Sequence, residues 1–213
     1  MRKFLEKIRM PEHGDSLKKQ VLITCVIMLA GAAIGVLQKW MDGTPDNMFP
    51  TWMQELGIVT YFGRLAVWVL LATIISVYSK TPLRASVNTF VFLLSMVAGY
   101  YIYCNFVLGF LPVSYMMIWI IIAFVSFFAA YVCWYAKGQG IVAIIISSGI
   151  IGVLLAQAFS FTHGFYVFDY MEIITWIAGV IVLYRKSKKE FAIELLLSVV
   201  VAVIYQLFIP YWG

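Results

Sequence analysis

Seven apolar segments divide the chain, and the polar stretches between them carry basic residues on alternate sides. The segments lie at residues 18–40, 58–79, 85–108, 113–136, 140–160, 168–184 and 190–209. Each is near the ~20 residues that a helix needs to cross a bilayer core. The first, third, fifth and seventh polar stretches hold Arg2, Lys3, Lys7, Arg9, Lys18, Lys19, Lys80, Arg84, Lys137, Arg185, Lys186, Lys188 and Lys189. The opposite side holds only Lys39 and Arg64, among the acids Asp42, Asp46, Glu55, Asp169 and Glu172. A wrong span count would scramble that alternation. The pattern therefore predicts an all-α, polytopic membrane helix bundle of seven spans, amino terminus cytoplasmic and carboxyl terminus outside.

Composition agrees. The 213 residues are 63% hydrophobic and 12% charged, with mean hydropathy +0.95, more apolar surface than a soluble domain of this length can bury. The lipid bilayer is the expected surrounding. The net charge of +5 follows the positive-inside pattern, so no nucleic-acid partner is expected. Cys25, Cys104 and Cys133 sit in separate apolar segments without CxxC spacing and read as small packing residues. The charged amino terminus and the Lys39-Trp40 that follow the first apolar run do not resemble a cleavable signal, so the first span is expected to stay.

Two domains of unequal size follow: a basic amphipathic segment at residues 1–17, on the cytoplasmic side, and a single seven-helix membrane domain at residues 18–213. In the former, Phe4, Leu5 and Ile8 share a face ringed by Arg2, Lys3, Lys7 and Arg9. Such a segment either lies on an anionic membrane surface or frays as a basic tail. Pro11 and Gly14 end it, and Asp15 or Ser16 caps the next helix.

Small residues recur at four-residue spacing: Gly31 and Gly35, Ser95 and Gly99, Thr175 and Gly179, and the longest stripe, Ser148, Gly152, Ala156 and Ser160. Such stripes let helix backbones approach closely. The expected use is packing within the bundle, and the alternative is a homo-oligomer or membrane-partner interface on the stripe of residues 148–160. Seven spans also divide as three, one and three, which would make the two triplets parallel repeats. Tyr78-Ser-Lys80-Thr81 before the third span and Tyr184-Arg-Lys186-Ser187 before the seventh give that division slender support.

Catalytic motifs are not evident: there is no HExxH, Gly-x-Ser-x-Gly or phosphate-cradling glycine loop. His163, Asp169 and Glu172 could hold a divalent ion, but Asp169-x-x-Glu172 is first of all a capping-box pattern. Glu194 reads as an acid snorkelling toward solvent near Lys188 and Lys189, and Asn88 as fixing the Pro82 turn or facing a neighbouring helix.

The most informative polar residues are Arg64, Asn105, Gln157, Glu172 and Gln206, from five different spans yet all in the outer third by this topology. Polar groups at membrane depth usually face the bundle interior or a water-filled cavity. An outward-facing polar and aromatic pocket for a small-molecule ligand is therefore expected, the alternative being an interfacial aromatic belt with Asn and Gln joining helices. Arg64 would hold an anionic group, Asn105 and Gln157 would hydrogen bond, and Trp40 or Trp52 would stack on the ligand or cover it. The loop of residues 42–56 carries a short interfacial helix or lid over it.

Within residues 62–138, the stretches Ile75-Ser-Val-Tyr-Ser-Lys-Thr-Pro-Leu-Arg-Ala-Ser-Val-Asn88 and Trp134-Tyr-Ala-Lys-Gly138 resemble a family of small bacterial multi-pass membrane proteins of unknown function. That resemblance implies a bacterial plasma membrane and nothing about activity. The long first outer loop is similar to that of vitamin-transporter binding subunits, which have six spans and both termini inside. The three-one-three division resembles that of seven-span vitamin-precursor carriers, whose Trp- and Asn-rich motifs are not evident here. The leading expectation is a transporter or ligand-capture subunit. The alternatives are a non-catalytic partner or immunity-type subunit acting by helix packing, and an intramembrane enzyme.

Overall fold

The computed structural model describes residues 2–12, 14–162 and 164–209, and the fold is all-α apart from one two-residue hairpin. A short helix α1 (Arg2–Ile8) precedes α2 (Leu17–Asp42), whose N-cap Ser16 accepts a hydrogen bond from the Lys19 amide. The first connection holds a 3-10 turn and the small helices α3 (Thr51–Glu55) and α4 (Ile58–Tyr61). Then come α5 (Leu65–Tyr78), α6 (Pro82–Tyr103), α7 (Val113–Cys133), α8 (Gly140–Ala158), α9 (Tyr170–Leu183) and α10 (Lys188–Phe208).

Among the described residues, five helices are long and apolar enough to cross a membrane: α2, α6 with its wider-wound end to Leu108, α7 with its 3-10 end to Lys137, α8, and α10. Their outward faces carry exposed Leu29, Phe128 and Leu196, the apolar surface that lipid covers. The helices α5 and α9 have 14 residues each. At 1.5 Å per residue each is about 21 Å long, short of the ~30 Å hydrocarbon core.

Two expected spans are therefore shorter than the hydropathy pattern indicates, for local reasons. The apolar run at residues 58–79 breaks where Arg64 takes an extended conformation (φ −93°, ψ 156°) after Gly63. The Phe62 carbonyl freed there accepts from Gln38 Nε2 at 2.8 Å and Trp68 Nε1 at 2.9 Å. The run at residues 168–184 starts its helix only at Tyr170, capped by Asp169. Likewise α8 stops at Ala158, because Phe159 and Ser160 turn into a strand, β1, that pairs with β2 (Tyr166–Val167).

The basic turns meet at one end of the bundle. Lys80 and Lys19 both pair with Asp15, at 3.1 and 2.9 Å. Arg9 donates to the Trp134 carbonyl at 2.6 Å and the Val77 carbonyl at 2.9 Å, at the C-terminal ends of α7 and α5, where cations complement exposed carbonyls. The segment α1 neither frays nor floats. Ile8 is buried against Ala85, Trp134, Tyr135 and Ala143, and its carbonyl accepts from the Gln139 amide at 2.8 Å. This docking needs Gly138, since a Cβ there would sit 2.5 Å from the Ile8 carbonyl oxygen.

Glycines set the tightest helix contacts. Gly31 and Gly35 of α2 lie directly on the α6 backbone, at Phe92 with the Ser95 side chain, and at Met96 and Tyr100; Gly99 lies on the backbone of Ala32. On the other side of the molecule Gly152 of α8 lies on Ser198 and Val201 of α10. The stripe Ser148, Gly152, Ala156 and Ser160 is accordingly buried within the chain, its Ala156 packed with Ala202.

These two helix pairs are built alike. Ser198 and Val201 follow Phe92 and Ser95 at the same offset along the chain as Tyr184 follows Tyr78. At that offset Thr81 and Ser187 are both N-caps, accepting from the Arg84 and Glu190 amides. At that offset too, Asn88 and Glu194 are both buried polar residues. Asn88 donates to Ser79 Oγ and accepts from Thr24, while Glu194 meets Arg185, the counterpart of Ser79, at 3.5 Å. The middle helices break the likeness: α5 packs mainly on α6, α9 mainly on α8, and the two meet each other across the seam between the halves.

Glu194 thus does not snorkel. It is fully buried, because it faces Arg185 rather than the exposed lysines of its own helix. Arg185 in turn donates to the Ala136 and Gly138 carbonyls and to Ser147 Oγ.

Candidate functional site

At the end opposite the basic turns, α5 and α9 begin side by side. Arg64, N-cap of α5, sets its Nη1 2.9 Å from Oδ2 of Asp169, N-cap of α9. Asp169 uses its other oxygen to accept from the Met171 amide at 2.7 Å, which satisfies one orphan donor of the helix start. Gly57, in the left-handed region (φ 65°), passes closely over this pair, and a Cβ there would lie 2.9 Å from Asp169 Oδ2. One step below, Tyr61 and Thr175 share a hydrogen bond of 2.5 Å, while Thr175 Oγ1 also reaches the Met171 carbonyl.

Between these two contacts along α9 lies Glu172. It is 0% exposed, and neither carboxylate oxygen has a hydrogen-bond partner. The capping-box expectation is thus met only by Asp169, since Glu172 does not reach back to the helix start. Among the described residues Tyr61, Arg64 and Asp169 are its charged or titratable neighbours, and α8 contributes none. Counted as ions, two acids and one arginine leave a single negative charge. Trp176, one turn further along α9, buries an indole N–H that likewise has no partner.

The five polar residues expected to line one pocket separate into three groups. Arg64 and Glu172 come together at the α5–α9 seam. Gln157 and Gln206 lie between α8 and α10. Gln157 is fully buried, donates to the Tyr205 hydroxyl at 3.3 Å and leaves Oε1 unpartnered. Gln206 ties the hairpin to the end of α8, donating to the Ala156 and Phe159 carbonyls at 2.8 and 2.5 Å and accepting from the Phe161 amide at 2.8 Å. Asn105 stands exposed on the wide turn that ends α6, residues 104–108. Trp40 packs edge-on against Phe49 at 5.7 Å, and Trp52 is exposed on α3.

Three members of the seam were not singled out from sequence as its parts: Asp169 as the partner of Arg64, and the Tyr61–Thr175 pair. Asp169 had a signal, the capping pattern, but a cap motif does not say what else its carboxylate meets. His163 lies outside the described residues; among those described, no group of three metal-ligating side chains forms.

A second feature borders the seam. A largely apolar cavity of about 540 Å³ lies where α7 and α8 scarcely touch, walled by Trp68 and Thr73 of α5, Thr89 and Leu93 of α6, Ala123 and Ser126 of α7, and Ile146 and Ile150 of α8. No protein-family model matches the chain, and neither the curated proteins nor the solved structures contain a significant match.

Proposed function

We propose that the protein is a small integral transporter of the bacterial plasma membrane, with seven spans, a cytoplasmic amino terminus and an outer carboxyl terminus. In this reading α5 and α9 complete the bundle as short spans, continued by α4 and by the hairpin. The basic end, with Lys80, Arg84, Lys137 and Arg185, faces the cytoplasm.

The observation that carries the transport reading is the seam itself. Ionisable groups at membrane depth are costly, and those retained there mark ion or substrate routes more often than stability. Here one acid is buried without a hydrogen-bond partner beneath an ion pair that joins the starts of α5 and α9. The α2/α6 and α8/α10 pairs are the closely packed units, with glycines seated on the facing helix. The α5–α9 seam and the cavity between α7 and α8 flank the packing of Ala66 and Leu70 on Leu154, about which the two units would turn. Sub-ångström changes in such packed units become discrete two-state motions. Arg64 is already neutralised by Asp169, so the site suits a cation or proton rather than the anion expected from Arg64 alone.

The test is a distance measurement in liposomes. Spin labels at Phe106 and Tyr170, both exposed at the seam end, replace those residues with cysteine in a chain whose native cysteines are removed. The expected result is two distance populations, with the longer one gaining weight in Arg64→Ala/Asp169→Ala. A single distribution that the double substitution leaves unchanged would contradict a moving seam.

A further inference from the structure

We propose that Glu172 is a proton-binding site of this protein, closed from the outer side by the Arg64–Asp169 ion pair. Its access rests on the transport reading, but its occupancy does not and is measured separately.

A fully buried carboxylate needs donors or a cation at its oxygens, since leaving an ionised group unpaired in a dry interior costs several kcal/mol. Glu172 has neither: both oxygens lack a hydrogen-bond partner, and Arg64, the cationic side chain beside it among the described residues, is engaged at 2.9 Å by Asp169. The facing helix α8 offers no titratable group, and α5 carries only Tyr78, at its far end. On α10 the neighbouring Tyr205 hydroxyl accepts from Gln157. A metal cation would require a shell of several oxygens. The Thr175 hydroxyl proton goes to the Met171 carbonyl and that of Tyr61 to Thr175 Oγ1, so neither hydroxyl donates to Glu172. A proton needs only one carboxylate oxygen, and binding it turns that oxygen into a hydroxyl and removes the site's uncompensated charge. Release requires a route to water, and the Arg64–Asp169 pair stands on the outer side of that route.

The second buried acid, Glu194, supplies the internal control. It is equally inaccessible and its oxygens too lack a hydrogen bond, but it faces Arg185 at 3.5 Å, so it has a counter-ion in place.

The experiment is infrared difference spectroscopy on the full chain in liposomes, following the carbonyl stretch of protonated carboxyl groups between about pH 4 and 9. Glu172→Gln should lose a titrating band, Glu172→Asp should retain it at a shifted frequency, and Glu194→Gln should leave it in place. Sodium, potassium and choline chloride at equal ionic strength should give the same titration. A band abolished by sodium alone would make the site a sodium site and overturn the proposal. No band assignable to Glu172 at any pH would do the same. Arg64→Ala/Asp169→Ala should speed hydrogen–deuterium exchange of that carboxyl by tenfold or more, and an unchanged rate would remove the ion pair as its gate.

Discussion

Arg64 and Asp169 each cap one of the two short helices of this bundle, and their side chains meet at 2.9 Å, so that one ion pair joins the starts of α5 and α9. Both side chains are largely shielded, at 13% and 19% exposure, so removing one leaves a poorly solvated charge. Arg64→Leu should cost on the order of 3 kcal/mol, more than Arg64→Leu/Asp169→Leu, which leaves no orphan ion. Chemical denaturation of the two variants in detergent measures the difference. Equal losses would mean that the pair is solvated in practice.

The glycines of α2 and α8 differ in what surrounds them. A side chain at Gly35 meets the α6 backbone at Met96 and Tyr100, whereas nothing lies within 4 Å of one at Gly149. Gly35→Ala should lower the melting temperature by several degrees. Gly149→Ala should leave it unchanged or raise it, by the roughly 0.5–1 kcal/mol that alanine gains over glycine within a helix. Thermal scans of both variants check the contrast.

Arg9 holds α1 in place through two carbonyls and the face of Trp134, 4.1 Å from the ring centre. Arg9→Gln should cost about 1–3 kcal/mol. Hydrogen exchange should rise in α1 and in the Trp134–Lys137 turn while α10 keeps its protection. A uniform rise would show that α1 stabilises the whole bundle instead.

Asp15 sits between Lys19 and Lys80, and hydrogen bonds from these two hold its carboxyl below the usual range. A depressed carboxyl contributes stability above its unfolded value, near pH 3.9, and loses it as pH falls through the folded value. Melting temperature should therefore drop more steeply with acid in the native chain than in Asp15→Asn. Parallel slopes would show that the pair is screened by solvent, as exposed pairs often are.

Gln206 and Asn105 were read from sequence as equivalent pocket residues, and the structure gives them opposite weights. Gln206→Leu breaks three hydrogen bonds that anchor the hairpin and should cost about 2–4 kcal/mol. Asn105→Leu, at an exposed site, should stay within about 0.5 kcal/mol. Denaturation of the two variants decides.

Much of this protein was legible along the chain. Hydropathy and the alternation of basic turns yield an all-α, membrane-type bundle, and local hydrogen-bonding chemistry yields the cap Asp169 and, as one of two candidates with Asp15, the cap Ser16. These are properties of a residue and its near neighbours, so a linear reading reaches them. The same reading assigned Arg64, Asn105, Gln157, Glu172 and Gln206 a common depth, because depth follows from counting residues along a span. It could not assign them a common direction. Which way a side chain points across the bundle depends on which helices pack together, and here glycine contacts between α2 and α6 and between α8 and α10 set that arrangement. Only the folded chain therefore pairs Arg64 with Asp169, turns Glu194 onto Arg185, sends Asn105 outward and leaves Glu172 buried without a partner.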